Sequence, residues 1–156
     1  MRPVDVYFKQ YNSVFKGSTQ IILLCILVVL FYFGLIGLVW AVPFPHINFL
    51  HSYNGYFNWA SFLIAGLMFY WYKQSPLLSY FLLMLLFSTS YSVTLIEAAH
   101  PAGPMSTRVI YSALLVVTVF GLVKITAKRN LKFFSALLFI PLWLIRVATR
   151  RLNINY

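Results

Sequence analysis

The stretch that decides the fold is residues 18–42, which read STQIILLCILVVLFYFGLIGLVWAV. It holds no charged residue, and a helix of this length spans about 35 Å, enough to cross a hydrocarbon core of roughly 30 Å with some tilt. Three more apolar runs follow at residues 56–72, 76–96 and 109–123. Only Lys73, Gln74 and Ser75 separate the second run from the third, so these two predict an antiparallel helical hairpin. The sequence predicts one all-α domain over residues 1–156, a polytopic membrane helix bundle with four transmembrane helices.

The composition excludes a soluble domain. Hydrophobic residues make up 62% of the chain and charged residues 9%, whereas soluble domains carry about 45–50% and 25%. The twelve Lys and Arg outnumber the two acids, Asp5 and Glu97, for a net charge of +10. No basic run is long enough to follow a phosphate backbone, so we expect no nucleic-acid partner and interpret the charge as membrane orientation.

A fifth apolar run, residues 133–145, has two readings. It is only 13 residues long, contains Pro141, and is flanked by Lys132 and Arg146. If it does not cross, eleven of the twelve basic residues share one side and only Arg108 lies on the other. If it crosses, Arg146 and the two arginines after it change sides, and the division becomes eight against four. The positive-inside rule favours four spans, a C-terminal re-entrant or interfacial helix and a cytoplasmic N-terminus; five spans is the alternative.

One group of ionisable residues could hold a metal. In the four-span topology, the three histidines and Glu97 share the non-cytoplasmic side, and Glu97 lies one helical turn before His100. Histidine and carboxylate ligands suit zinc or iron. The alternative is that the histidines are solvated and Glu97 anchors a helix end near Arg108. The candidate ligands are His46, His51, Glu97 and His100.

The spans themselves offer little for transport chemistry. They hold no acid or base except Lys124 at a boundary, which disfavours an ion-coupled transporter. The most polar segment is a hydroxyl cluster late in the third span, which either lines a lipid-headgroup cavity or bonds back to its own helix. It comprises Ser88, Thr89, Ser90, Tyr91, Ser92 and Thr94.

Several segments together resemble a family of small bacterial membrane proteins related to the yeast 2-hydroxy fatty acid dioxygenase. They are residues 11–20, IGLVWAVP at 36–43, FNW at 57–59, the turn at 75–77 and PLWLIRVATRRLNINY at 141–156. The resemblance covers nearly the whole chain. It implies a compact multi-helix fold in the bacterial inner membrane and, for active members, iron held by histidines that supports oxidative removal of one carbon from a 2-hydroxy fatty acid.

This sequence departs from the family at its ligand positions. The family's two early histidines fall on Phe15 and Leu24, and its later Gly-His pair with a following Glu falls near Gly121 and Lys124. None of these side chains is an iron ligand. We therefore expect no cofactor and a non-catalytic protein that acts through lipids or a membrane-protein partner, for instance as an accessory subunit of a complex. The alternatives are a divergent iron-dependent dioxygenase, with iron as its cofactor, and a small transporter.

Overall fold

A computed structural model describes residues 3–45, 58–99 and 104–151, and within these ranges the chain is helical, with no strand. The helices are α1 (Pro3–Val14), α2 (Ser18–Trp40), α3 (Trp59–Gln74), α4 (Pro76–Ala99), α5 (Pro104–Ala127) and α6 (Phe133–Arg151). Four segments are long and apolar enough to cross a membrane: α2, α4, Thr107–Ala127 of α5, and Phe133–Arg150 of α6. The predicted fold class, an all-α membrane helix bundle, is confirmed.

The helices differ in their bounds from the apolar runs that predicted them, and α5 differs most, since it begins at Pro104 instead of residue 109 and ends at Ala127 instead of residue 123. α3 begins at Trp59 because the side chain of Asn58 caps it, accepting a hydrogen bond from the Ser61 amide at 3.0 Å. With 16 residues it is shorter than the four segments above, so the predicted second span, residues 56–72, is not among the helices long enough to cross a membrane. α6 has 19 residues and continues to Arg151 instead of ending at residue 145. Arginine is a good helix former, so a helix need not end where its apolar run ends.

The centre of the bundle is the antiparallel pair α2 and α5, which share the most extensive helix contact. Their register is visible at three levels: Gln20 bonds to Arg129, Leu27 packs against Gly121, and Gly37 lies under the ring of Tyr111. Gly37 leaves no room for a side chain, because a Cβ there would lie 2.6 Å from a ring carbon of Tyr111. The absence of a Cβ therefore allows α2 and α5 to approach closely at this level.

Proline at position 141 shapes α6 and its contacts. Pro141 has no amide hydrogen, so the carbonyl of Leu137, four residues earlier, loses its helical donor. The hydroxyl of Tyr32 on α2 donates to that carbonyl at 3.0 Å, and the indole of Trp71 on α3 donates to the next carbonyl, Leu138, at 2.9 Å. Both donor side chains are almost fully buried. Side chains from two other helices thus satisfy the backbone of α6, as an apolar interior requires.

The amphipathic helix α1 packs against α6. Its buried residues, Val4, Phe8, Tyr11 and then Phe15 just beyond its end, recur at helical spacing. Tyr7 stacks on Phe139 with ring centroids 4.2 Å apart. Trp143 donates to Asn12 Oδ1 at 2.8 Å, and Asp5 forms an ion pair with Arg146 at 3.6 Å.

The two ends of the bundle carry different charges. We call the end where α2 begins and α5 ends the basic end, and the opposite end, where α2 and α4 end, the far end. From Leu138 to Arg146, α6 contacts the last turn of α3 and helix α1, which lie at the basic end. By length and composition α6 could also cross a membrane, so both readings of this segment, a re-entrant or interfacial helix and a fifth span, stay predictions.

Candidate anion-binding site

A cavity of about 240 Å³ lies at the basic end, between the N-terminus of α2 and the C-terminus of α5. One wall is apolar and the other carries three cations. The lining residues are Phe15, Gln20, Leu23, Lys124, Ile125, Lys128 and Arg129. The cavity therefore combines hydrocarbon contacts with positive charge at a helix boundary, a combination that suits an amphiphilic anion.

Arg129 is the fixed cation of this cavity. Its guanidinium donates to the backbone carbonyl of Val14 and, at 2.8 Å, to the side-chain oxygen of Gln20. The same group lies over the ring of Phe15, 4.4 Å from the centroid. The turn that follows α5 positions it, with Asn130 at a positive φ of 52°. Because these contacts leave some of the five guanidinium hydrogens unused, Arg129 can also donate to a bound anion.

The start of α2 adds partial positive charge beside Arg129. Its N-cap is Gly17, which offers no side-chain cap, and the first backbone bonds run from Gln20 and Ile21 to the Gly17 carbonyl. The amides of Ser18 and Thr19 precede this first hydrogen-bonded turn. A helix N-terminus carries about half a positive charge and exposes amide donors, so it favours an anion.

The two lysines of the cavity are exposed at its rim. Lys124 lies over Phe120, 5.1 Å from the ring centroid, and Lys128 is one turn further along α5. No carboxylate side chain of the chain neutralises them, because the sequence has only two acids. Asp5 pairs with Arg146, and Glu97 lies in the last turn of α4 at the far end. Neither of the two acidic side chains therefore supplies a countercharge to this cavity.

Two of the four positions that the family resemblance singles out meet at this cavity. Phe15 and Lys124 line the cavity. Leu24, the residue after the lining residue Leu23, is fully buried. Gly121 packs against Leu27, whose Cδ2 atom lies 3.2 Å from the position that a Cβ of residue 121 would take. The side chains here are hydrocarbon, amide and cationic. They do not fit an iron ion, since none of them is an imidazole or a carboxylate and the cations would repel a metal.

The other metal candidates are placed only in part. His46, His51 and His100 lie outside the described residues. Glu97 is described, and its Oε1 atom is buried with no hydrogen-bond partner in the part of the chain that the structure covers. Within residues 3–45, 58–99 and 104–151, no three His, Cys, Asp or Glu side chains come together in a way that could hold a metal ion.

The hydroxyl cluster of α4 divides between two grooves. Ser88, Thr89 and Ser92 line a groove against α2, whereas Ser90, Tyr91 and Thr94 line one that also involves α3. Three of the hydroxyls bond back to carbonyls of α4: Thr89 to Leu86, Ser92 to Ser88 and Thr94 to Tyr91. These three residues therefore bond within their own helix and also line the grooves, so the bonding does not decide between the two readings.

Sequence reasoning did not identify Gln20 and Arg129 as parts of one site. They are 109 positions apart, and only the pairing of α2 with α5 brings them together. One signal was present: a basic cluster at the end of a span, in a chain with only two acids to balance it.

No protein-family model, curated protein or solved structure matches this chain.

Proposed function

We propose that this chain is a non-catalytic multi-pass membrane protein that binds the phosphate group of an anionic lipid in the cavity between α2 and α5. One observation carries the proposal: three cations and a helix N-terminus surround a single cavity whose charge no carboxylate side chain of the protein balances. Basic pockets between membrane helices commonly hold anionic headgroups.

The surroundings of the cavity favour a lipid over a soluble anion. Leu23 on α2 and Val123 on α5 are half exposed next to the cavity, and Val116, Val117 and Phe120 continue an exposed apolar surface along α5. A headgroup in the cavity would therefore have its acyl chains against an apolar helix surface. A soluble phosphate would gain only the polar half of these contacts.

We also propose that the protein lies in the bacterial inner membrane with its basic end facing the cytoplasm. Among the described residues, Arg108 is the basic side chain at the far end, whereas Lys73, Lys124, Lys128, Arg129, Lys132 and Arg146 lie at or next to the basic end. This distribution supports the cytoplasmic placement through the positive-inside rule. We also propose that the scaffold is of the dioxygenase-like type, with Phe15, Leu24, Gly121 and Lys124 in place of that family's iron ligands.

A binding assay with labelled lipids tests the function. The purified protein in mild detergent should bind fluorescent phosphatidylglycerol more tightly than the matching phosphatidylcholine, and added salt should reduce the difference by screening. Replacing both rim lysines, Lys124→Gln with Lys128→Gln, should raise the Kd for phosphatidylglycerol about thirtyfold, since each lysine near the surface contributes about 1 kcal/mol.

Lys73→Gln provides the matched control. Lys73 also lies over an aromatic ring, 4.4 Å from the centroid of Phe69, but outside the cavity, so its replacement should leave the Kd nearly unchanged. Equal binding of the two lipids by the unmodified protein would refute the lipid site. Stoichiometric iron in the purified protein, together with turnover of a 2-hydroxy fatty acid, would refute the non-catalytic assignment.

A further inference from the structure

A groove of about 540 Å³ follows the seam between α3 and α4 and reaches Trp40 at the end of α2. Its volume lies in the range of small-molecule sites, about 300–1,000 Å³. Among the described residues that line it, none is charged. The groove shares no lining residue with the cavity at the basic end, so it is a separate candidate site.

Polar and apolar residues are separated along this groove. The turn at Ser75 joins α3 to α4, so residues at equal distances from Ser75 lie at about the same level of the hairpin. Met68 and Leu83 lie seven and eight positions from it and mark an apolar level. Ser61 and Ser90 lie 14 and 15 positions from it, nearer the far end, and mark a hydroxyl level. At 1.5 Å per residue the two levels are about 10 Å apart, so one part of the groove offers hydrocarbon contacts and another offers hydroxyl groups.

Ser90 is the exception among the hydroxyls of this part of α4. Three of its neighbours bond back to carbonyls of the helix, namely Thr89, Ser92 and Thr94. The Oγ atom of Ser90 is buried and has no hydrogen-bond partner in the described part of the chain. The carbonyl of Leu86, four residues earlier, is the usual acceptor for such a hydroxyl, but it already accepts from Thr89 at 2.8 Å. An unpaired hydroxyl in apolar surroundings costs free energy, and a ligand that pairs with Ser90 recovers this cost.

We propose that this groove binds an uncharged lipid that carries a free hydroxyl group, such as a diacylglycerol. The hydroxyl of the lipid bonds to Ser90, and its hydrocarbon contacts Met68 and Leu83. Because Ser90 itself lines the groove, a rotation about its Cα–Cβ bond from one staggered rotamer to another brings Oγ to the ligand.

The chemistry of the groove argues against two other membrane ligands. A phospholipid headgroup carries a charged phosphate, and moving a charge among uncharged lining residues costs free energy that no countercharge returns. A plain hydrocarbon chain leaves Ser90 unpaired. A lipid alcohol avoids both costs, since a hydroxyl both donates and accepts a hydrogen bond.

Native mass spectrometry of the purified protein in mild detergent tests the site. The two probes are dioctanoylglycerol and the dioctanoyl ester of 1,2-propanediol, which has the same chains and lacks the hydroxyl. The unmodified protein should retain dioctanoylglycerol about fivefold better, the effect of one neutral hydrogen bond. Ser90→Ala should abolish this preference. Ser92→Ala is the matched control and should keep it, since Ser92 lies on the same helix but lines the groove against α2 and bonds to the Ser88 carbonyl.

A second pair of variants tests the place of binding. Ala65→Phe adds a ring to the wall of the groove and should abolish retention of both probes. Gly66→Phe adds the same ring outside the groove lining, where a Cβ would meet no atom within 4 Å, and should leave retention unchanged. Both positions are exposed on α3, so neither ring disturbs the core.

Each of four results would overturn the inference. They are equal retention of the two probes by the unmodified protein, an unchanged preference in a folded Ser90→Ala protein, full retention by Ala65→Phe, and displacement of dioctanoylglycerol by an equal amount of dioctanoyl phosphatidylglycerol. The last result would show that the groove holds the acyl chains of any lipid. Phosphatidylglycerol bound only at the basic cavity leaves this groove free, so the two proposals succeed or fail separately.

Discussion

A single glycine sets the distance between the two central helices. Gly37 faces the Tyr111 ring so closely that Gly37→Ala would place a methyl carbon 2.6 Å from a ring carbon. The ring cannot move freely, because Phe33 packs on its edge. We expect Gly37→Ala to lower the free energy of unfolding by about 1–3 kcal/mol, the usual cost of overpacking a rigid core. Denaturant titration in detergent micelles, followed by circular dichroism, measures this change.

Gly66 supplies a control for the effect of glycine itself. It also lies inside a helix, α3, but a Cβ there would meet no atom within 4 Å. Gly66→Ala should therefore be neutral or slightly stabilising, by up to about 1 kcal/mol, because alanine favours the helix. If the two alanine variants had the same stability, close packing of Gly37 against Tyr111 would be the wrong explanation.

At the scale of an element, α6 depends on its neighbours for its backbone hydrogen bonds. Tyr32 donates to the Leu137 carbonyl that Pro141 leaves unpaired. Tyr32→Phe should cost about 1–3 kcal/mol, since the carbonyl would remain buried without a donor. Pro141→Ala restores an amide that can bond to Leu137 within the helix. In the Pro141→Ala background, Tyr32→Phe should therefore cost distinctly less.

This double-mutant cycle separates the hydrogen bond from general packing. Tyr32 also contacts Trp71 edge-on, with ring centroids 5.6 Å apart, and phenylalanine retains that contact. Tyr80→Phe on the 60% exposed Tyr80 controls for loss of a hydroxyl as such. A cost of Tyr32→Phe that stays the same in both backgrounds would show that Pro141 and Tyr32 are not coupled.

At the scale of the whole molecule, the sequence predicted the helices well and their partners poorly. Runs of about 20 apolar residues predict spans because the bilayer thickness sets their length. The same uniformity hides the packing: α2 is apolar on all sides, so nothing in its pattern shows that Leu24 is buried while Leu23 is half exposed. The cavity at Arg129 follows from that packing, which explains why hydropathy alone could not locate it.

The charge distribution was predictable, because the order of apolar runs and basic residues along the sequence assigns each basic residue to one end of the bundle. It leads to a prediction about orientation. With the natural Cys25 replaced by alanine, a single cysteine at Lys128 should be protected from a membrane-impermeant maleimide in intact cells and labelled once the membrane is opened. A cysteine at Arg108 should be labelled in both. Both positions are exposed in the structure, so burial does not limit the reaction. Because positive loops are retained in the cytoplasm, labelling of position 128 but not 108 in intact cells would invert the topology and move the basic cavity to the outer leaflet.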